Sequence, residues 1–138
     1  MNPNTLLRGL LAVLALAASC LAQAAPPLLS PAELDALRQA GAVRIIDIRD
    51  AEDHAAQHIP GAVSAPYGVW RGPASNPGEL PDLSRLTALV QQLGLRPSVH
   101  AVVVSGGEDT SDFGAAARVY WSLKVLGLRE LSILNGGL

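Results

Sequence analysis

Apolar residues in this chain fall into two patterns. Val43 to Ile48, Val99 to Val104 and Leu131 to Leu134 are short, dense, largely β-branched or leucine runs, which predict strands buried on both faces. Leu83, Leu86, Leu89, Val90 and Leu93 instead repeat at helical spacing, predicting a helix from about Asp82 to Leu93 that Gly94 stops. A further helix is expected from Phe113 to Leu126, ended by Gly127. Ser30-Pro31-Ala32-Glu33 carries a capping box, with proline in the first turn, where its missing amide proton costs nothing. That helix runs to about Gln39 and closes at Gly41.

The remaining stretches are shorter. Leu28-Leu29 is a candidate strand, Asp50 to Gln57 a brief helical turn, and Ala62 to Ala65 another strand after the Pro60-Gly61 break. Pro66 to Pro81 is dense in proline and glycine and reads as a long surface connection. Strands alternating with helices, without hairpin turns or internal repeats, predict an α/β fold: a parallel sheet with helices on both faces. All strands then end on one edge, which brings Asp47, Ser105 and Asn135 together where open α/β sheets bind ligands.

The first residues read differently. Arg8 precedes an apolar run from Leu10 to Ala18 and the small-residue site Ala22-Gln23-Ala24, the layout of a secretory signal peptide over residues 1–24. The run is too short for a comfortable membrane span. The expected product is an exported, periplasmic domain over residues 25–138, of a size that suits one core. A second reading takes Ala17-Ala18-Ser19-Cys20 as a lipoprotein site with a lipid anchor on Cys20, although leucine is missing three residues before the cysteine. Cys20 is the only cysteine, so either route leaves a domain without a free thiol or a disulfide, dependent on its core alone. Removing Arg8 takes the formal charge from -2 to about -3, which gives no reason to expect nucleic acid.

Candidate chemistry concentrates after the run ending at Val104. Ser105, Gly106 and Gly107 are followed by the acids Glu108, Asp109 and Asp112, at a strand-to-helix junction of the kind that holds anions or nucleophiles. Arg118 is placed to reach back toward those acids, Tyr120 and Trp121 are expected in the core, and Trp70 with Arg71 is the exposed candidate for a partner contact. Asp47 and Arg49 suit a ligand contact, but a local ion pair with turn hydrogen bonds explains their spacing better. His54 and His58, four apart and near Asp50 and Asp53, superficially suit a metal; the Pro60-Gly61 break argues against the long helix such a site needs, and no metal or cofactor is expected. A hydrolase pairing of Ser105 with His54 or His58 lacks a Gly-x-Ser-x-Gly elbow, and His100 lies at the opposite strand end.

Two segments carry a family likeness. "IIDIRDAEDHAAQHIPGA", Ile45 to Ala62, and "VHAVVVSGGEDTSDFGAAARVYWSLKVLGLRELSILNGGL", Val99 to Leu138, resemble the two halves of a rhodanese sulfurtransferase domain. The resemblance implies about five parallel strands and a cysteine that takes sulfur from thiosulfate or 3-mercaptopyruvate as a persulfide. The position matching that cysteine is Gly106. A serine at 105 cannot form a persulfide, and the three loop acids would raise a thiol pKa and repel an anionic donor.

With Ala117-Arg118-Val119-Tyr120-Trp121, the loop is most similar to the non-catalytic N-terminal domain of two-domain thiosulfate and 3-mercaptopyruvate sulfurtransferases. Relatives continue past the Asn135-Gly136-Gly137 turn into a segment and helix that cover the sheet, so the likeness implies a chain truncated at its C-terminus, a second rhodanese domain that holds the cysteine, and a strip of sheet left bare. The alternative is a stand-alone, non-catalytic module that binds an anion or a protein, with Asp47, Arg49, Trp70, Arg71, Ser105, Gly106, Gly107 and Arg118 as its candidate contacts.

Overall fold

The structure, a computed structural model, describes residues 24–138. The leader, its Ala24 cleavage site's upstream half and Cys20 fall on residues 1–23, outside the described residues. Five parallel strands, β1 (Leu28–Leu29), β2 (Val43–Asp47), β3 (Val63–Ser64), β4 (His100–Val104) and β5 (Leu131–Leu134), form one sheet in the order β1-β5-β4-β2-β3. Helices α1 (Pro31–Gln39), α2 (Ala51–Ala56), α3 (Leu83–Gln92) and α4 (Thr110–Val125) make the connections.

Side-chain alternation sends each strand's residues to two cores. Ile46, Ala101, Val103, Leu131 and Ile133 face α3 and α4, meeting Leu86, Leu93, Ala116, Val119 and Leu123. Ile45, Val102, Val104, Leu29 and Leu134 face the other way, where Leu34 and Leu37 of α1 meet them with Ile59 and Ala62. That second face is not bare. Val102, Val104 and Leu134 are buried, because α1 and the turn after α2 lie over it.

Local signals explain the ends of the elements. Ser30 Oγ accepts from the Glu33 amide while the Glu33 carboxylate accepts from Ser30 N, so the expected capping box forms and lowers the Glu33 pKa. Gly41 and Gly94 stop α1 and α3 with φ of 67° and 69°. Helix α4 begins three residues before the expected start. Asp109 Oδ1 accepts from the amides of Ser111 and Asp112 at 2.7 and 3.0 Å, an N-cap that a search for apolar periodicity passes over.

The long connection after β3 is not all surface. Tyr67–Trp70 forms a 3-10 turn against α4 and carries Trp70 into the main core, 0% exposed, with Nε1 donating to Ala65 O at 3.1 Å. Trp70 is therefore not the exposed contact expected from sequence, although Arg71 beside it is exposed. The correction runs the opposite way on α4. Trp121 is 48% exposed and not core, while Tyr120 is partly buried.

Candidate functional site

Strands β2 and β4 are neighbours in register, Asp47 opposite Val104. The chain leaves β2 toward β3 on one side and leaves β4 toward β5 on the other, so a crevice opens where the two loops part. A cavity of about 330 Å³ lies there. The loop after β2 contributes Arg49 and Asp50, helix α2 contributes Asp53, and the loop after β4 contributes Ser105, Gly106 and Glu108. Asp112 of α4, Tyr67 and Leu138 close the rim.

Below the cavity Asp47 is buried and fully engaged. Arg49 donates through Nε to Oδ1 at 3.1 Å and through Nη2 to Oδ2 at 2.7 Å, its backbone amide also reaches Oδ1, and His54 Nδ1 lies 3.0 Å from Oδ2. Burial pushes the Asp47 carboxyl up, but the hydrogen bonds from Arg49 and His54 outweigh it and leave its pKa below the ordinary value. The same bond raises the Arg49 pKa. Arg49 Nη2 also donates to Gln57 O at 2.6 Å, which ties the turn after α2 to β2. This is the ion-pair and turn role that the Asp-x-Arg spacing favours.

His54 and His58 stack with ring centroids 4.1 Å apart, and His58 Nδ1 donates to His54 O at 2.7 Å. Their ordering nitrogens are thus taken by Asp47 and a carbonyl. Among the described residues no cluster of three or more His, Cys, Asp or Glu side chains has the arrangement to hold a metal ion. Neither histidine lines the cavity, and neither bonds the Ser105 hydroxyl.

The loop 105–109 is filled from within. An ideal β-carbon on Gly106 would stand 2.8 Å from Asp112 Oδ2. That same oxygen accepts from Glu108 N at 3.0 Å, and Asp109 holds the amides of Ser111 and Asp112. Three backbone donors of this strand-to-helix segment, the amides of Glu108, Ser111 and Asp112, are thus occupied by the chain's own carboxylates. Gly107, at φ 78°, is pressed against the C-terminal turn, where Gly136 O leaves no room for a β-carbon. Leu138 N donates to Ser105 O at 3.0 Å and fixes that contact.

Arg118 does not reach the loop acids. Its Nη2 donates to Gly78 O at 2.5 Å, its guanidinium lies 5.0 Å from the Trp121 ring centre, and its Nε is buried without a partner. Asn135 follows β5 on the shared edge, but its backbone amide donates to Leu29 O and the residue does not line the cavity. The sequence missed Tyr67, Asp50, Asp53 and Leu138 as neighbours of Ser105. They arrive from three separate segments, and only the strand order brings them together.

A parallel five-stranded sheet with this order, a strand-end crevice and this loop pair define the rhodanese fold. Residues 30–138 match the model of the rhodanese-like domain family, and the chain belongs to that family. It is 35% identical over 114 residues to a thiosulfate sulfurtransferase of Azotobacter vinelandii, covering 82% of this chain and 41% of that protein. It is 36% identical over 115 residues to the Pseudomonas aeruginosa thiosulfate sulfurtransferase, with the same coverage of 82% and 41%. The chain therefore spans about two-fifths of the length of these relatives. In fold it is similar to the Escherichia coli 3-mercaptopyruvate sulfotransferase SseA, with a TM-score of 0.62 at 22% identity over 80% of this chain and 40% of that one. The human single-domain sulfurtransferase TSTD1 gives a TM-score of 0.54 at 20% identity, over 82% and 92%.

Proposed function

We propose that this chain is a non-catalytic rhodanese domain of an exported sulfurtransferase, the N-terminal part of a two-domain thiosulfate or 3-mercaptopyruvate sulfurtransferase whose second domain supplies the cysteine. The observation that carries this reading is the Asp112 carboxylate over Gly106, the position matching the family's sulfur-carrying residue. Sulfur transfer needs a thiolate there, stabilised by loop amides and a helix N-terminus. This loop has no thiol, and Asp112 and Asp109 hold the amides of Glu108, Ser111 and Asp112 at the head of the helix.

The domain's role is then structural: to pack on the catalytic half and shape one wall of the cleft between them. Phe113, Trp121 and Val125 all lie on α4 and are all about half exposed. They form the apolar surface this reading assigns to the second domain, together with the exposed Arg71. Export is the reading of Arg8 and the apolar run from Leu10 to Ala18 as a signal peptide, and the coverage of two-fifths of each relative is compatible with a second domain of similar size.

Reading the native gene past the codon for Leu138 tests the proposal. The expected result is an in-frame second rhodanese domain with a cysteine after its fourth strand; a stop codon directly after Leu138 would overturn it and favour the stand-alone binding module.

A further inference from the structure

We infer that Glu130 is the built-in acceptor for the N-terminus that processing creates: removal of the leader after Ala24 turns the Ala25 nitrogen into an ammonium group that pairs with the Glu130 carboxylate and fastens the edge of the sheet. The inference rests on the export reading, which puts the cut after Ala22-Gln23-Ala24. In the uncut chain Ala25 N already donates to Glu130 Oε2 at 3.1 Å. Hydrolysis by a leader peptidase adds water across the Ala24–Ala25 bond. Ala24 leaves as a carboxylate, and the freed Ala25 amine takes up a proton at neutral pH.

Glu130 is partly buried, yet none of the ion pairs among the described residues uses it. A carboxylate drawn from water onto a neutral amide is only partly matched, whereas an ammonium brings the opposite charge and three donors. The charged groups around it do not fill that place. Arg129, its neighbour in sequence, is exposed and pairs with no acid. His100 spends its Nε2 on Ser132 Oγ at 2.8 Å, and burial favours its neutral form.

The hold on the chain points to the same atom. Pro26 O accepts from Ser132 Oγ, Pro27 O from Ile133 N at 2.9 Å and Leu29 O from Asn135 N at 2.8 Å, so the segment is tied to β5 along its length. Pro26 and Pro27 have no N–H, which leaves the Ala25 nitrogen as the only backbone donor in residues 25–27. Ala24 is exposed and makes no hydrogen bond with any described residue. The fastening therefore begins at the residue the cut makes first, and at the nitrogen the cut changes. Strand β1 is a two-residue strand on the edge of the sheet, so a terminal anchor bears directly on whether it stays paired.

Exporting the full 138-residue chain from a bacterial host, measuring the intact mass of the product and following the carbon-13 shift of the Ala25 methyl against pH test this. The inference expects a product that begins at Ala25, with an amine that titrates about half a pH unit or more above the usual α-amino value of about 7.7–8.0. Glu130→Gln, which keeps the side-chain shape, should return the titration to that value, and added sodium chloride should lower it in the wild type. The amine then supports the fold below its unfolded value and loses that effect as pH rises through the folded one, a loss that urea unfolding should show in the wild type and not in Glu130→Gln. If Glu130→Gln fails to fold by circular dichroism, the salt dependence of the wild-type titration decides, and a titration that salt does not lower overturns the inference. A product that begins at Ala25 but titrates alike in both proteins, or one that begins elsewhere, such as at a lipid-bearing Cys20, would overturn it and leave export standing. An uncut chain would overturn the export reading as well.

Discussion

Asp112 Oδ2 stands 2.8 Å from where a β-carbon on Gly106 would sit, so the position that the proposed reading matches to the family's sulfur carrier is overlaid here by a carboxylate. Restoring the cysteine alone is therefore not enough. Gly106→Cys should crowd Asp112 and give a thiol that titrates above its usual value of about 8.5, because the adjacent carboxylate opposes the thiolate. Gly106→Cys with Asp112→Ser should bring that titration down. Thiolate ultraviolet absorbance followed against pH reads both; equal titrations in the two variants would contradict this account of the loop.

The Asp47 carboxylate should support the fold in a pH-dependent way. Its folded pKa is depressed, so its contribution is present above the unfolded value of about 3.9 and is lost as pH falls through the lower folded value. Asp47→Asn should cost about 2–4 kcal/mol at neutral pH, because it removes the counter-charge of Arg49 and replaces one of the two buried acceptor oxygens by an NH2 donor. It should also flatten that acid limb. Urea unfolding of both proteins between neutral and strongly acidic pH makes the comparison.

His100 opens β4 at the opposite end of the sheet, its Nε2 2.8 Å from Ser132 Oγ, while that hydroxyl donates to Pro26 O. Burial lowers its pKa, with Glu130 pulling weakly the other way. A histidine held neutral in the fold gives stability that is complete above its unfolded value of about 6.5 and declines below it, as the unfolded chain takes up the proton first. Melting temperature should therefore fall as pH drops below about 6.5, and His100→Gln should remove part of that slope. An unchanged slope would place the effect elsewhere.

Two glycines should respond with opposite signs. Gly107 has positive φ and no room for a β-carbon against Gly136, so Gly107→Ala should destabilise by about 2–4 kcal/mol. Gly114 lies inside α4 with open space around it, and Gly114→Ala should stabilise by about 0.5–1 kcal/mol. Chemical denaturation of the pair separates a required close approach from an incidental glycine.

The strands and α1 were legible in the sequence because β-branched runs and a Ser-x-x-Glu cap are local signals. Trp70 and Trp121 were misplaced for the converse reason. A loop rich in proline and glycine carries no period to show that its aromatic turns inward, and a helix with apolar residues on most sides gives little sign of which one faces water. Arg118 found Gly78, forty positions earlier, and no spacing rule reaches that far. The cavity followed the same logic: the Asp-x-Arg turn and the loop after Val104 could each be read alone, but their residues came to line one crevice only through the adjacency of β2 and β4.

Mass spectrometry after incubation of the chain with thiosulfate, with peptide mapping and a parallel assay for thiocyanate formed from cyanide, bears most directly on the absence of a sulfur carrier. The account predicts that no peptide from residues 25–138 gains the mass of a sulfur atom and that the domain makes no thiocyanate. A sulfur adduct that cyanide removes from any residue in that range would contradict it.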